Sequence, residues 1–350
     1  RSPVKAPSGG AALRALRRHQ ELGVWVVGAV ALVSLAVVQL RERPAGSLKL
    51  SAWQLPMCDA QGECGESPTE PSPRTSHSAR SERQVEDWER FHLHLRSESE
   101  RASRARDIEY VFLGDSITEA YLGTSVGKAV SRAKGVPEAF AEIWNAEASI
   151  VLGIGGDQTQ HVLYRLRDGE MGGVRPNVVV LLIGTNNLGA GFDPEDTVAG
   201  VKAVVEETLL EAGPFARVVL SALLPRGDRD KLVALCPPRC SAETGGPFKS
   251  FLPAIQAVND GLEEYVKAKA DTRIHYIDCS PDFLASPAPD PAELDAAVRD
   301  GRSDPAVRSD LFTDALHPNP AGYRVWSTCL GPVVEAAAAA AKEARQSHRP

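Results

Sequence analysis

Ser116 stands in the run Gly114-Asp115-Ser116-Ile117-Thr118-Glu119, directly after a short apolar stretch. Far downstream the chain reads Asp314-Ala315-Leu316-His317-Pro318-Asn319-Pro320. A serine hydroxyl becomes a nucleophile when an imidazole takes its proton, and a carboxylate on the other ring nitrogen fixes the tautomer that can do so. The spacing of Asp314 and His317 allows that contact locally. Asp278, at the end of another apolar run, is the rival acidic partner. Each fragment alone is commonplace, since Ser and Asp are favoured at helix starts and a Pro after His suits another. Together they are the parts of an acyl-transfer site.

Two further blocks could serve the negative charge that develops on a carbonyl under attack. Gly153-Ile154-Gly155-Gly156-Asp157-Gln158-Thr159 lets a backbone approach closely and turn its N–H groups toward an anion. It lacks the Lys of a phosphate-binding loop and the spacing of a dinucleotide fingerprint. Gly184-Thr185-Asn186-Asn187 offers a side-chain amide, Asn186, as another donor. Structural turns are the plainer account of either block taken alone. Asp115 is expected to hold the turn rather than to react.

These blocks must be carried by elements that bring them to one edge. Apolar runs at 110–113, 149–152, 177–183, 217–223 and 273–277 read as short buried strands. Helical patterns follow at 158–166, 193–211, 255–268 and 320–344, with Asp193 as N-cap and Pro194 at the first helical position. Ahead of them, Val85, Trp88, Phe91 and Leu95 fall at helical spacing within 84–105. Continuous apolar strands separated by helices predict a parallel sheet covered on both faces. Such α/β folds place their sites at the carboxyl ends of the strands, where the Ser, Gly and Asn blocks stand. There is no internal repeat.

In this order GDSIT, GIGGD, GTNN and DALH resemble the SGNH, or GDSL-type, hydrolases over roughly residues 84 to 340. The resemblance implies a three-layer α/β/α sandwich with a five-stranded parallel sheet, flavodoxin-like in order. It implies Ser116 as nucleophile, with Asp314 and His317 completing the triad. Gly156 and Asn186 would form the oxyanion hole with the Ser116 backbone N–H. No cofactor or metal is implied. The runs GIGGDQTQHVLYRLRDGEM, LLPRG and DLFTDALH are similar to the catalytic α subunits of intracellular platelet-activating factor acetylhydrolases and their bacterial relatives. That implies hydrolysis of short-acyl, chiefly acetyl, esters of a lipid or carbohydrate, and a homodimer. The chain departs from that subfamily in an insertion holding CPPRC at about 228–250, and in SPAPDPAELDAAVRDGRSDP before the Asp–His pair. Both are expected at the active edge. An O-acyltransferase would use the same residues, and a non-catalytic binding module could keep the fold.

Composition bounds the rest. The 350 residues carry a formal net charge of −7, which gives no broad footprint for nucleic acid. Residues 1–22 are basic, and 23–40 (GVWVVGAVALVSLAVVQL) are uncharged and near the lower length for a bilayer span of roughly 20 residues. They read as a transmembrane helix or signal anchor, with the catalytic domain lumenal or extracellular from the basic N-terminal flank. A secreted or organellar protein is the alternative. Residues 41–83, rich in Pro, Ser, Gly and Glu, read as a disordered tether, and 84–345 as the hydrolase domain. Six cysteines, Cys58, Cys64, Cys236, Cys240, Cys279 and Cys329, suit either disulfides or free thiols.

Overall fold

The apolar runs do become strands, and their pairing sets everything else. A computed structural model describes residues 66–75, 81–105 and 108–348. In chain order the principal elements are α1 (Glu82–Ala105), β1 (Tyr110–Gly114), α2 (Ser116–Glu119), α3 (Val136–Ala141), β2 (Ser149–Gly153), α4 (Thr159–Arg167), β3 (Val178–Leu182) and α5 (Thr185–Ala190). They continue with α6 (Pro194–Ala212), β4 (Arg217–Ser221), α7 (Arg229–Leu235), α8 (Leu252–Lys269), β5 (Ile274–Ile277), α9 (Pro291–Arg299) and α10 (Pro320–Ser347). The segment 23–40 and its assignment as a membrane span lie outside the described residues. Among the described residues no helix is long and apolar enough to cross a membrane.

The five strands form one sheet in the order β2-β1-β3-β4-β5, every neighbour parallel. Residues along β1 to β4 are almost all buried, including Val111, Leu113, Leu152, Val179 and Val219. A strand buried at consecutive residues must be covered on both faces. One cover is α4, α6 and α8 packed side by side; α10 lies across β3, β4 and β5 and packs against α3. This is the three-layer α/β/α sandwich. The reversal of strand order at β1 opens a crevice at the carboxyl ends of β1, β2 and β3, which is where Gly114, Gly153 and Leu182 lead into the candidate blocks.

Helix α1 buries Trp88, Phe91 and Leu95, the face given by its spacing. The Trp88 indole N–H donates to the Asp157 carboxylate at 2.6 Å, so this helix reaches the glycine block. The tether is structured where it is described. Within 66–75, the Ser72 N–H donates to the Gln160 carbonyl at 3.1 Å and the Pro68 carbonyl accepts from the Thr159 hydroxyl at 2.8 Å. Polar composition hides such a segment, because it adds few apolar contacts and docks through hydrogen bonds to a surface formed elsewhere.

Two disulfides fall among the described residues. Cys236–Cys240 closes the CPPRC run, and Cys279–Cys329 joins the end of β5 to α10 across a sequence separation of 50. Cys58 and Cys64 lie outside the described residues.

Candidate active site

Ser116 is placed by the end of β1. Gly114 passes so close to β3 that a Cβ there would sit 2.3 Å from the Leu182 carbonyl oxygen, so no larger residue fits. Asp115 then caps α2, its carboxylate accepting the Ile117 N–H at 2.9 Å. The buried Arg165 of α4 donates to the Gly114 carbonyl at 3.0 Å and to the Asp157 carboxylate at 2.8 Å. One guanidinium thereby ties the serine turn to the glycine block.

His317 comes from the opposite end of the chain. Asn319 caps α10 by accepting the Ala321 and Gly322 N–H groups at 3.0 Å. Before it the backbone makes a tight turn in which the Thr313 N–H donates to the His317 carbonyl at 2.8 Å. Ala315 adopts φ +59° in this turn, and its carbonyl accepts the Gly227 N–H at 2.7 Å. The turn aims both side chains. His317 Nδ1 lies 2.9 and 2.8 Å from the two Asp314 carboxylate oxygens, and His317 Nε2 lies 2.9 Å from Ser116 Oγ. With the proton on Nδ1 facing the carboxylate, Nε2 is the acceptor for the serine hydroxyl. Burial alone would push the Asp314 carboxyl up, but the hydrogen bonds and charge of His317 outweigh it and hold it at about 2. Asp278, the rival partner, instead accepts the Ser280 N–H at 2.8 Å.

The Gly and Asn blocks meet beside the serine. Gly156 has φ +85°, a conformation that glycine adopts without strain. Among the described residues the N–H groups of Ser116 and Gly156 donate to no protein acceptor. Asn186 Nδ2 donates to the Asp157 carbonyl at 2.9 Å and makes a longer contact of 3.3 Å to the Asp115 carboxylate. Burial, reinforced by the Asp157 charge, pushes Asp115 up to about 7 despite its bond from Ile117.

Several supporting residues carried no assigned role in the sequence reading. Glu119 is fully buried and accepts from Thr124 Oγ1 (2.7 Å), Val126 N (2.8 Å), Gly127 N (2.9 Å) and Gly155 N (2.6 Å). Arg226 of the LLPRG run donates to the Thr185 carbonyl at 2.8 Å, holding the start of α5 and hence Asn186. Its other side is fixed by Asp228 at 2.6 and 2.7 Å and by the Phe251 ring. The signal for both was a charge set within a short run between apolar residues. The two insertions also reach the site: Asp228, Arg229, Gly301 and Arg302 line a cavity of about 400 Å³ together with Asp314 and Ala315.

A buried hydroxyl, an imidazole within hydrogen-bond reach, a carboxylate behind it and two open backbone donors form the arrangement needed to attack a carbonyl. The GDSL-like Lipase/Acylhydrolase family model matches residues 112–325, and the chain belongs to that family. Among curated relatives, it is 31% identical over 186 residues to the platelet-activating factor acetylhydrolase IB subunit alpha1 of Homo sapiens, covering 53% of this chain and 64% of the relative. The alpha2 subunit of Rattus norvegicus is 36% identical over 92 residues, 26% of this chain and 39% of the relative. Among solved structures, a GDSL-like lipase from Bacteroides thetaiotaomicron aligns with a TM-score of 0.44 at 20% identity, covering 65% of this chain and 88% of that one. A carbohydrate acetylesterase family member from Sinorhizobium meliloti aligns with a TM-score of 0.44 at 14% identity, covering 66% and 99%.

Proposed function

We propose that the chain is a serine ester hydrolase. The observation that carries this reading is the continuous relay Asp314–His317–Ser116, with contacts of 2.8 and 2.9 Å. His317 Nε2 takes the Ser116 proton as Oγ attacks the ester carbonyl. The oxyanion is met by the N–H groups of Ser116 and Gly156 and by Asn186 Nδ2, which turns from Asp115 while keeping its bond to Asp157. Protonated His317 then gives its proton to the leaving alkoxide, and the alcohol departs. Water attacks the acyl-serine with His317 again as base; the bond to Oγ breaks, His317 returns the proton to Ser116 Oγ and the acid leaves, and Asp314 stabilises the imidazolium in both steps. Each oxyanion donor is worth about 10² to 10³ in rate.

The substrate class in this reading is a short-acyl, chiefly acetyl, ester of a lipid or carbohydrate. The acetylhydrolase subunits named above support the acetyl group. Residues 23–40 would hold the domain at a membrane. Full chain assayed on p-nitrophenyl acetate, butyrate and octanoate tests the reading, beside Ser116→Ala and His317→Ala. Hydrolysis that collapses in both variants and falls with acyl length is the expected result. Activity surviving Ser116→Ala would overturn it.

A further inference from the structure

Residues 66–75 lie outside the stretch matched by the family model, yet they touch the glycine block that carries Gly156. Arg74 Nη1 donates to the Gly155 carbonyl at 2.7 Å. Its guanidinium lies directly against Gly156, where an added Cβ would meet Nη2 at 2.5 Å. The Gly155 carbonyl and the Gly156 N–H belong to one planar trans peptide, so they point in opposite directions. Whatever holds the carbonyl therefore aims the N–H.

That hold matters because two consecutive glycines rotate their shared peptide more freely than any other pair. A flip of this peptide would turn a carbonyl oxygen, instead of an N–H, toward the substrate. Gly155 is gripped at both polar atoms: its N–H by the Glu119 carboxylate at 2.6 Å and its carbonyl by Arg74. A cation on the carbonyl also polarises the peptide and strengthens its N–H as a donor, by about 10–30% per bond in a chain of hydrogen bonds.

The segment bearing Arg74 is itself fastened to α4, the helix that follows the glycine block. The Glu66 carboxylate accepts from His161 Nε2 at 3.0 Å, Gln160 Nε2 at 3.0 Å and Thr75 Oγ1 at 2.5 Å. His161 Nδ1 accepts the Gln158 N–H at 3.0 Å, which leaves the proton on Nε2 to face Glu66. The bonds from Ser72 and to Pro68 tie the strap between these points.

We propose that Arg74 is a positioning residue for the oxyanion hole, fixing and polarising the Gly155–Gly156 peptide so that the Gly156 N–H faces the carbonyl under attack. This inference rests on the reading of the site as a serine ester hydrolase. It is tested in the full chain with Arg74→Ala, Arg74→Lys and Ser116→Ala on p-nitrophenyl acetate, a neutral ester that offers no charge for Arg74 to bind. Arg74→Ala should lower kcat about 10- to 100-fold with little change in KM, somewhat less than deletion of a donor. Arg74→Lys, which keeps one charged donor, should recover a large part. Independently of activity, the Gly156 amide resonance in ¹⁵N-glycine-labelled protein, identified by its absence in Gly156→Ala, should shift in Arg74→Ala and return toward the parent position in Arg74→Lys. Parent kcat in Arg74→Ala, a loss confined to KM, a Lys variant no better than Ala, or an unmoved Gly156 resonance would each overturn the role of Arg74. If the parent hydrolyses no ester, or Ser116→Ala stays active, it is the hydrolase reading that falls, and the resonance still decides whether Arg74 holds the peptide.

Discussion

The phenol of Tyr323 donates to the carbonyl of Ile117, the residue beside Ser116, at 2.6 Å. Tyr323 lies in the helix that begins just after His317, and it is buried. One hydrogen bond thus locks the element that follows His317 to the turn bearing Ser116. Tyr323→Phe keeps the ring and removes the donor, stranding a buried carbonyl at a cost of about 1–3 kcal/mol. Urea denaturation should show that loss, and kcat should fall with KM nearly unchanged as Ser116 and His317 drift apart.

Ser116 and His317 act as one unit in the proposed reaction. Ser116→Ala and His317→Ala should each reduce kcat on p-nitrophenyl acetate by about 10⁴-fold or more. The double variant should be scarcely worse than either alone, because neither residue works without the other. Multiplied losses in the double variant would mean that the two contribute independently.

Asp314 gives a pH dependence of known sign. Its folded value of about 2 is below the ordinary 3.8, so the ionised group favours the folded state. That contribution is complete above pH 3.8 and disappears as pH falls through about 2. The gap in Tm between the parent and Asp314→Asn should therefore be steady near neutral pH and close between those two values. A gap that widens toward acid would contradict the assigned direction.

The Cys279–Cys329 bond closes a separation of 50 residues between the end of β5 and α10. Crosslinks over loops of this order contribute about 2–4 kcal/mol. Cys279→Ser with Cys329→Ser should lower the denaturation midpoint accordingly, and a reductant should lower the midpoint of the parent by more than that of the variant, which keeps only Cys236–Cys240 among the described disulfides. Equal midpoints throughout would remove this bond from the account of stability.

Much of this arrangement is legible in the residue order. The run Asn177-Val178-Val179-Val180-Leu181-Leu182-Ile183 announces a strand buried on both faces, and the observed β3 lies within it. The Ser116, Gly156, Asn186 and Asp314–His317 blocks can be found because each follows a strand or precedes a helix. What composition does not reveal is contact made by polar atoms across long separations. Glu119 accepting Gly155, Arg165 bridging Gly114 and Asp157, and Arg226 holding Thr185 depend on which loops the sheet brings together. The strap 66–75 is the extreme case, since Pro- and Ser-rich sequence reads as tether until the surface it docks on exists. The count of six cysteines likewise left disulfides and free thiols open and gave no sign of Cys279 with Cys329, a pairing set by β5 and α10.

Ser116 and His317 are 201 positions apart, and Arg74 reaches Gly155 across 81. A ribosome releases the N-terminal part of a chain first. Ser116 therefore emerges with an ordinary, unactivated hydroxyl, and the strap emerges before the helix it fastens to. In the proposed reaction the set Asp314, His317 and Ser116 can assemble only once the segment from Asp314 through α10 has been made and has folded across the sheet. On the proposed mechanism a chain that stops short of His317 should therefore leave esters untouched, its serine having no base.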